Sequence, residues 1–228
     1  MLKFYYNPRS PMARRVWQTL LEKEILFDPI LLSLNGDQLQ PEYLNLNPFH
    51  HVPVIVDDGL RVIESLAILD YLETKYPTPA LLPKEAEALA TVRMVQMVAT
   101  HELLPKMISL ISETEDSPKC LQAKEHIDKV LKFLTDCLGN SSYFGGEQLT
   151  LADIVAGCDL SLLPKLGVSF SHYPKLNDWF ERLMQREAWQ KTELSTEDFE
   201  KFKRVFVKLR SRKLTNKHRV HPVQEEKT

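Results

Sequence analysis

A short run around Pro53 carries the clearest chemical signal in the chain, because a proline at a strand edge can hold backbone groups open for a ligand. The run reads Asn47-Pro48-Phe49-His50-His51-Val52-Pro53-Val54-Ile55-Val56. Proline cannot donate to a sheet ladder, so it is typical of an edge or of the first residue of a strand. If the Val52–Pro53 bond is cis, Val52 presents both its N–H and its C=O beside the sheet. The sequence therefore predicts a backbone template for a peptide-like ligand.

A second signal is Ser10, in the segment Ser10-Pro11-Met12-Ala13 between a predicted strand and a predicted helix. Serine is a preferred N-cap residue, and proline is preferred at the first helical position. Backbone N–H groups and the helix dipole favour negative charge at this end, so the hydroxyl is suited to stabilise an anion. A serine considered alone is most often an ordinary cap, so a chemical role depends on its neighbours.

Apolar periodicity and turn residues predict the elements that position these groups. We expect strands at residues 2–6, 26–32, 54–56 and 60–63, and helices at 11–23, 41–46 and 64–76. The turn Asp57-Asp58-Gly59 has the composition of a β-hairpin. The order is therefore βαβ followed by ββα. In such a fold Ser10, Pro53 and the pair Glu64-Ser65 meet at one edge of the sheet.

The rest of the chain has helical periodicity, at residues 86–112, 118–138, 151–163, 173–186 and 195–212. Pro77-Thr78-Pro79 ends the first unit. The segment from Thr150 to Asp153 fits a capping box, with Leu149 and Ile154 placed as a hydrophobic staple. The predicted fold is an α/β thioredoxin-like N-terminal domain at residues 1–77, a linker at 78–85, and an all-α helical bundle as C-terminal domain at 86–214.

Composition excludes several classes of protein. Hydrophobic residues make up 43%, charged residues 26%, and the formal net charge is −2, so the overall charge does not favour nucleic acid. Three widely spaced cysteines suggest neither a disulfide framework nor a zinc site. The sequence has no leader-like start and no long apolar stretch. We expect a cytoplasmic protein without a bound metal.

The segments quoted above together resemble the cytosolic glutathione transferases, to about residue 190. Ser10-Pro11-Met12-Ala13-Arg14-Arg15-Val16 is similar to the opening of the serine-type tau class and, with serine for cysteine, to that of the omega class. The runs Asn35-Gly36-Asp37-Gln38-Leu39-Gln40-Pro41-Glu42-Tyr43 and Asn47 to Pro53 are closer to the delta and theta classes. The class is therefore left open.

The resemblance implies a glutathione site on the first domain. Ser10 would be the catalytic residue that hydrogen-bonds the glutathione sulfur, and Val52 would pair with the cysteinyl backbone. The other implied glutathione-binding residues are Gln38, His50 and His51 at the glycyl end, Pro53 beside Val52, and Glu64 and Ser65 at the γ-glutamyl end. Considered singly, His50 and His51 are equally well explained as surface residues, and no third metal ligand is suggested near them.

The resemblance also implies a pocket for a hydrophobic electrophile against the helical domain. The residues expected there are Met12, Met94, Met97, Val98 and His101, although methionines at helical spacing are more often core residues. One departure lies at Leu66, where the delta-type pattern commonly has arginine. A charge-assisted contact to the γ-glutamyl carboxylate is therefore missing or supplied from elsewhere.

The C-terminal segment is strongly basic, since residues 201–219 hold nine of the 29 Lys and Arg residues and no acidic residue. Phe199, Phe202, Phe206 and Leu209 recur at helical spacing and predict an amphipathic helix. Such a helix can bind a membrane surface, but packing onto the bundle is the favoured interpretation. Residues 215–228 have the polar composition of a disordered tail.

The leading functional prediction is a homodimeric glutathione transferase that conjugates the glutathione thiolate to small hydrophobic electrophiles in detoxification. One alternative is a non-catalytic glutathione-fold protein that carries ligands or mediates interactions, because fold alone does not establish activity. Another is a glutathione-dependent peroxidase or dehalogenase that uses the same thiolate. A thiol reductase of omega type is disfavoured, because Ser10 stands where it needs a cysteine.

Overall fold

The computed structural model describes residues 1–204 and 207 of the 228-residue chain. Its first unit is a four-stranded sheet in the order β2-β1-β3-β4 with helices packed on it. The strands are β1 (Leu2–Tyr6), β2 (Phe27–Leu31), β3 (Val54–Asp57) and β4 (Leu60–Ile63), and the helices are α1 (Pro11–Glu22), α2 (Pro41–Leu46) and α3 (Ser65–Lys75). The predicted βαβ and ββα order is thus confirmed.

Strand pairing follows from the connections between the strands. The strands β1 and β2 are parallel and are joined through α1, as a crossover connection requires. The strands β3 and β4 are antiparallel and are joined by the predicted hairpin turn. Asp58 and Gly59 both have positive φ, at 48° and 84°, as a two-residue turn matching strand twist requires.

The second unit is helical among the described residues. Its helices are α4 (Ala86–Val98), α5 (Leu104–Ser112), α6 (Pro118–Leu138), α7 (Leu151–Leu160), α8 (Pro174–Met184) and α9 (Glu187–Lys191), followed by helical residues 196–204. All residues of α7 are buried, and α7 packs against α4 and α1. This helix is therefore the centre of the second core and one of the contacts between the two units.

The predicted single helix at 86–112 is instead two α-helices joined by a π-helical turn, Ala99–Leu103. Pro105 follows this turn and lacks the N–H that would donate to the carbonyl of His101 in a regular helix. In a π turn each N–H group donates to the carbonyl five residues earlier, and this local change of hydrogen bonding accommodates the missing N–H of Pro105. The departure from the prediction is thus a consequence of one proline.

The predicted capping box at the start of α7 is confirmed. Thr150 N donates to Asp153 Oδ2 at 2.7 Å, and Asp153 Oδ1 accepts from Phe144 N at 2.9 Å and from Trp179 Nε1 at 2.8 Å. Burial raises the pKa of Asp153 to about 6, against the lowering effect of these hydrogen bonds. The cap therefore also ties α7 to α8.

The predicted C-terminal helix is described only in part. Phe199 is buried, and Phe202 packs partly buried against the core, in agreement with packing onto the bundle. Phe206, Leu209 and the predicted tail at 215–228 lie outside the described residues. Among the helices that are described, none has the length and apolarity needed to cross a membrane.

Candidate active site

Strand register brings the three predicted chemical segments to one end of the sheet. Tyr5 in β1 pairs with Val54 in β3, and Val54 pairs in turn with Ile63 in β4. The chain leaves β1 toward Ser10, enters β3 from Pro53, and leaves β4 toward Glu64 at this same end. Residues that are far apart in sequence therefore lie at one end of the sheet.

Ser10 is held by the loop that precedes it. Asn7 is buried, its carbonyl accepts from Ser10 N at 3.0 Å, and its side-chain Nδ2 donates to Leu32 O at 2.7 Å. The half-buried Ser10 caps α1, because its Oγ accepts from Ala13 N at 3.3 Å. The hydroxyl proton takes no part in this cap and is free to donate to an anion.

Val52 has the open backbone that Pro53 predicted. The Val52–Pro53 bond is cis, and within residues 1–204 neither the N–H nor the C=O of Val52 has a hydrogen-bond partner. The preceding carbonyl, of His51, accepts from Tyr43 Oη at 2.6 Å and from Asn47 Nδ2 at 2.8 Å. The peptide groups of Val52 are thus held in place and left unpaired.

Tyr43 and Asn47 are positioning residues that the sequence alone did not single out. Both are buried, and burial raises the pKa of Tyr43 far above its usual range. Tyr43 lies two positions after Pro41, and Asn47 directly precedes Pro48. Nearness to a proline is too weak a signal to have identified either residue. Their shared acceptor, the His51 carbonyl, orients the peptide that leads into Val52.

Glu64 and Ser65 begin α3 at the other side of this edge. Glu64 is exposed and has φ 66° and ψ 117°, a conformation that is strained for a residue with a side chain. Ser65 is buried, and its Oγ lies 3.5 Å from the sulfur of Met12. This contact joins the start of α3 directly to the segment after Ser10.

The other predicted glutathione-binding side chains are arranged differently. The Gln38 amide closes its own loop, donating to Leu34 O at 3.1 Å and accepting from Gly36 N at 3.1 Å. The His50 and His51 side chains are exposed, and their rings meet edge to face with centroids 5.3 Å apart. Contacts from these three side chains to a ligand stay predictions.

Comparison with known proteins identifies the family of this chain. The family model "Glutathione S-transferase, N-terminal domain" matches residues 4–80, and "Glutathione S-transferase, C-terminal domain" matches residues 80–187. The chain belongs to the glutathione S-transferase family. It is therefore a transferase with glutathione as co-substrate, and the resemblance seen in the sequence is confirmed.

Two curated glutathione S-transferases illustrate the similarity. The chain is 33% identical over 208 residues to glutathione S-transferase hmp2 of Hypomyces subiculosus, covering 84% of this chain and 97% of that protein. It is 27% identical to glutathione S-transferase D7 of Drosophila melanogaster, covering 88% and 92%. A solved delta-class glutathione transferase of Nilaparvata lugens matches with a TM-score of 0.78 at 25% identity, covering 90% of this chain and all of that one.

The predicted electrophile-pocket residues are spread along α4 and the π turn of this transferase. Met94 and Met97 are 47% and 49% exposed, His101 is exposed, and Val98 is half-buried against the core. Met12, in contrast, contacts Ser65 of the first unit. An electrophile pocket at these positions remains a prediction.

A buried ion pair connects the transferase's two units beneath Ser10. Arg15 Nη2 donates to both oxygens of Asp159 at 3.1 and 2.9 Å, and Nη1 donates to Thr100 Oγ1 at 2.9 Å. The side chains of Arg15 and Asp159 are both 0% exposed. The sequence alone did not single out Asp159, which is one of two carboxylates in the otherwise apolar helix α7. The pair fixes α1, which carries Ser10 at its start, against α7.

Arg14 is also buried. Its Nε donates to Thr192 O at 2.9 Å and its Nη1 to Ser161 Oγ at 3.3 Å. Cys158 lies nearby, with its thiol donating to Pro11 O at 3.3 Å. Burial raises the pKa of the Cys158 thiol, which makes it a neutral packing residue rather than a nucleophile.

The far end of α3 is held to the β3–β4 hairpin by Asp57. This buried carboxylate accepts from Tyr71 Oη at 3.0 Å and Tyr76 Oη at 2.8 Å, and it pairs with Lys75 Nζ at 2.9 Å. Burial raises the pKa of Asp57, but the hydrogen bonds from Lys75, Tyr76 and Tyr71 outweigh it and lower the pKa overall.

The described part of the chain holds no cluster of His, Cys, Asp or Glu suited to a metal ion.

Proposed function

We propose that Ser10 donates a hydrogen bond to the glutathione thiolate, which then attacks an electrophilic carbon of a small hydrophobic substrate. A carbon–sulfur bond forms, and either a leaving group departs with its electron pair or an activated double bond takes up a proton. The observation that carries the proposal is the Ser10 hydroxyl, whose oxygen already accepts from Ala13 N at 3.3 Å. Its proton is therefore available to a sulfur anion at the positive end of α1.

The proposed position of glutathione follows the open groups around Ser10. The unpaired N–H and C=O of Val52 would bond the cysteinyl backbone. Glu64 would pair with the α-amino group, and Ser65 with the first N–H groups of α3 would receive the α-carboxylate. Because Leu66 lacks a charge, these donors would hold that carboxylate without an arginine at this position.

The magnitude of this stabilisation is adequate. A free thiol with a pKa of about 8.5 is only about 3% ionised at pH 7. Lowering the pKa by about two units needs about 2.7 kcal/mol. A hydrogen bond to a charged acceptor contributes about 1.5–3 kcal/mol, and the helix dipole adds to it. Ser10 therefore need not lose its own proton.

The proposal is tested with Ser10→Ala and a matched control, Ser117→Ala. Ser117 caps α6 in the same way, with Pro118 following and Oγ accepting from Cys120 N at 3.1 Å. Each substitution removes a cap worth about 1 kcal/mol. Only Ser10→Ala is expected to raise the pKa of the bound thiol by about one to two units and to lower turnover about 10–100-fold.

The readouts are thiolate absorbance across pH and initial rates with aryl halides, isothiocyanates, enals and hydroperoxides. Turnover of the first three groups supports conjugation, whereas turnover of hydroperoxides alone supports the peroxidase alternative. Glutathione binding without turnover of any compound supports the carrier alternative. Equal loss of rate in Ser10→Ala and Ser117→Ala would reduce Ser10 to a helix cap.

We also propose a cytoplasmic homodimer that acts in detoxification. The free thiols of Cys120, Cys137 and Cys158 suit a reducing compartment. The exposed side chains of Met94 and Met97 offer apolar surface for a second copy. Sedimentation equilibrium of the full chain should give twice the chain mass, and a monomer at micromolar concentration would contradict the dimer.

A further inference from the structure

A cavity of about 240 Å³ lies where α1, α8, α9 and the end of α7 meet. Its walls are mainly apolar, and its polar groups include the guanidinium of Arg14. The apolar lining residues are Pro164, Phe180, Met184, Trp189 and Leu194. Since one water takes about 30 Å³ of liquid volume, the space is sufficient for a single aromatic ring with a short polar substituent.

Arg14 brings a buried positive charge to this cavity without a carboxylate partner. It is 2% exposed, and its hydrogen bonds go to the Thr192 carbonyl and the Ser161 hydroxyl. Within the described ranges no acidic group lies at ion-pair distance from Arg14, and the carboxylate of Asp159 is already bound through both oxygens to Arg15. Arginine does not deprotonate in proteins, so this cation remains available.

The hydrogen-bond partners of Arg14 explain how its buried charge is tolerated. Ser161 follows the last turn of α7, and Thr192 follows the last turn of α9. Helix C-termini carry partial negative charge, which stabilises a nearby cation without neutralising it. The remaining positive charge favours an anion in the cavity.

Trp189 forms an aromatic part of the same wall. Its side chain is 2% exposed, and its Nε1 lies against Gly157 of α7. At the rim, Lys165 lies 3.9 Å from the carboxylate of Glu193, which is largely exposed. The interior of the cavity therefore carries the positive charge of Arg14, while its negative group faces solvent.

We propose that this cavity binds a small aromatic carboxylate, with its carboxylate on Arg14 and its ring between the apolar walls. Apolar enclosure with a few convergent polar groups is typical of small-molecule sites. None of the lining residues belongs to the predicted glutathione or electrophile sites. The proposal is therefore independent of the chemistry at Ser10 and describes a second site on the transferase.

The test uses phenylacetate and its neutral counterpart phenylacetamide, titrated calorimetrically into the full-length protein. Phenylacetate is expected to bind about tenfold more tightly or better than the amide, because only the anion forms a charge-assisted hydrogen bond. Binding should change tryptophan fluorescence, and this change should be lost in Trp189→Phe. Saturating glutathione should not displace phenylacetate.

Three variants locate the site. Arg14→Gln should weaken phenylacetate binding about tenfold or more, and Met184→Trp, which fills the cavity and keeps Arg14, should abolish it. Arg93→Gln removes a surface arginine from α4 and should leave binding unchanged. If Arg14→Gln does not fold, Met184→Trp and the amide comparison decide the question. Equal affinity for acid and amide, unchanged binding in Met184→Trp, or no saturable binding by wild type would overturn the proposal.

Discussion

Replacing Asp159 with asparagine should destabilise the fold far more than a change of one atom suggests. In the native structure the two Asp159 oxygens bind Arg15 at 3.1 and 2.9 Å, and both side chains are fully buried. Asp159→Asn keeps the shape but leaves the Arg15 guanidinium charged and without a counter-ion. The Nε of Arg15 already has no partner among the described residues, so little is left to compensate the charge.

The expected loss is about 3–5 kcal/mol, the usual cost of removing one partner of a buried ion pair. A domain of ordinary stability has about 5–15 kcal/mol in total, so the variant should be marginal. With a urea dependence of about 3 kcal/mol per molar, the unfolding midpoint should fall by about 1–2 M. Urea denaturation followed by circular dichroism measures this shift.

A matched control is the pair of Arg93 and Asp70. Arg93 Nη1 lies 2.6 Å from Asp70 Oδ1 and also joins α4 to α3, but these side chains are 40% and 50% exposed. Solvent screens such pairs, so Asp70→Asn should cost less than about 1 kcal/mol. The contrast separates burial from the mere presence of an Arg–Asp contact.

Arg15→Met, together with the variant that carries both substitutions, completes a double-mutant cycle that distinguishes the effect of charge from that of packing. In Arg15→Met the buried Asp159 can take up a proton, so the cost of this variant should grow as the pH rises. Burial already raises the pKa of Asp159 in wild type, so the cost of Asp159→Asn should be independent of pH only above the range in which Asp159 titrates. The double variant should be less destabilised than the sum of the single variants by about 2–3 kcal/mol. A loss below about 1 kcal/mol for Asp159→Asn, or strict additivity, would refute the reasoning.

Two further outcomes follow from the ends of α3. Glu64→Gly should raise the free energy of unfolding by about 1 kcal/mol, because glycine relieves the strain at φ 66°. Urea denaturation measures this gain, and a fall in stability would contradict the strain. The same variant should weaken glutathione binding, which a glutathione titration measures. Asp57→Asn should cost about 2 kcal/mol at pH 7, since it weakens the contacts with Lys75, Tyr71 and Tyr76. Because the pKa of Asp57 is lowered in the folded state, its ionised form stabilises the protein above about pH 4. This contribution is lost as the pH falls through the pKa of Asp57 in the folded state. The difference in free energy of unfolding between Asp57→Asn and wild type should therefore shrink by pH 3. A difference that stays constant over this pH range would contradict the stabilising role of the Asp57 carboxylate.

Local features of this protein were predictable because neighbouring residues determine them. The cap at Ser10 and the helix Pro118–Leu138 depend on residues a few positions apart, and so does the box at Thr150. The hairpin at Asp58 needs only its own turn residues. Propensity, capping and periodicity act over these short separations, so sequence patterns were sufficient to predict them.

The single helix expected at 86–112 shows where such reasoning fails. Its apolar periodicity is continuous, but Pro105 changes the hydrogen-bond ladder and produces a π turn. The solvent exposure of the Met94 and Met97 side chains likewise depends on which face of α4 packs against α7. Periodicity predicts that a helix has a buried face, but it does not say which element packs against that face or what lies beside the opposite face.

The sequence by itself determined the two-part architecture, the helix cap at Ser10 and the open edge beside Pro53, because each is a property of local backbone chemistry. Only the tertiary structure decided the surroundings of Arg14 and Arg15. Asp159 lies 144 residues after Arg15 and meets it because α7 packs against α1. The unpaired charge of Arg14 in an apolar cavity has the same origin, since burial and partners are set by contacts that a sequence pattern does not encode.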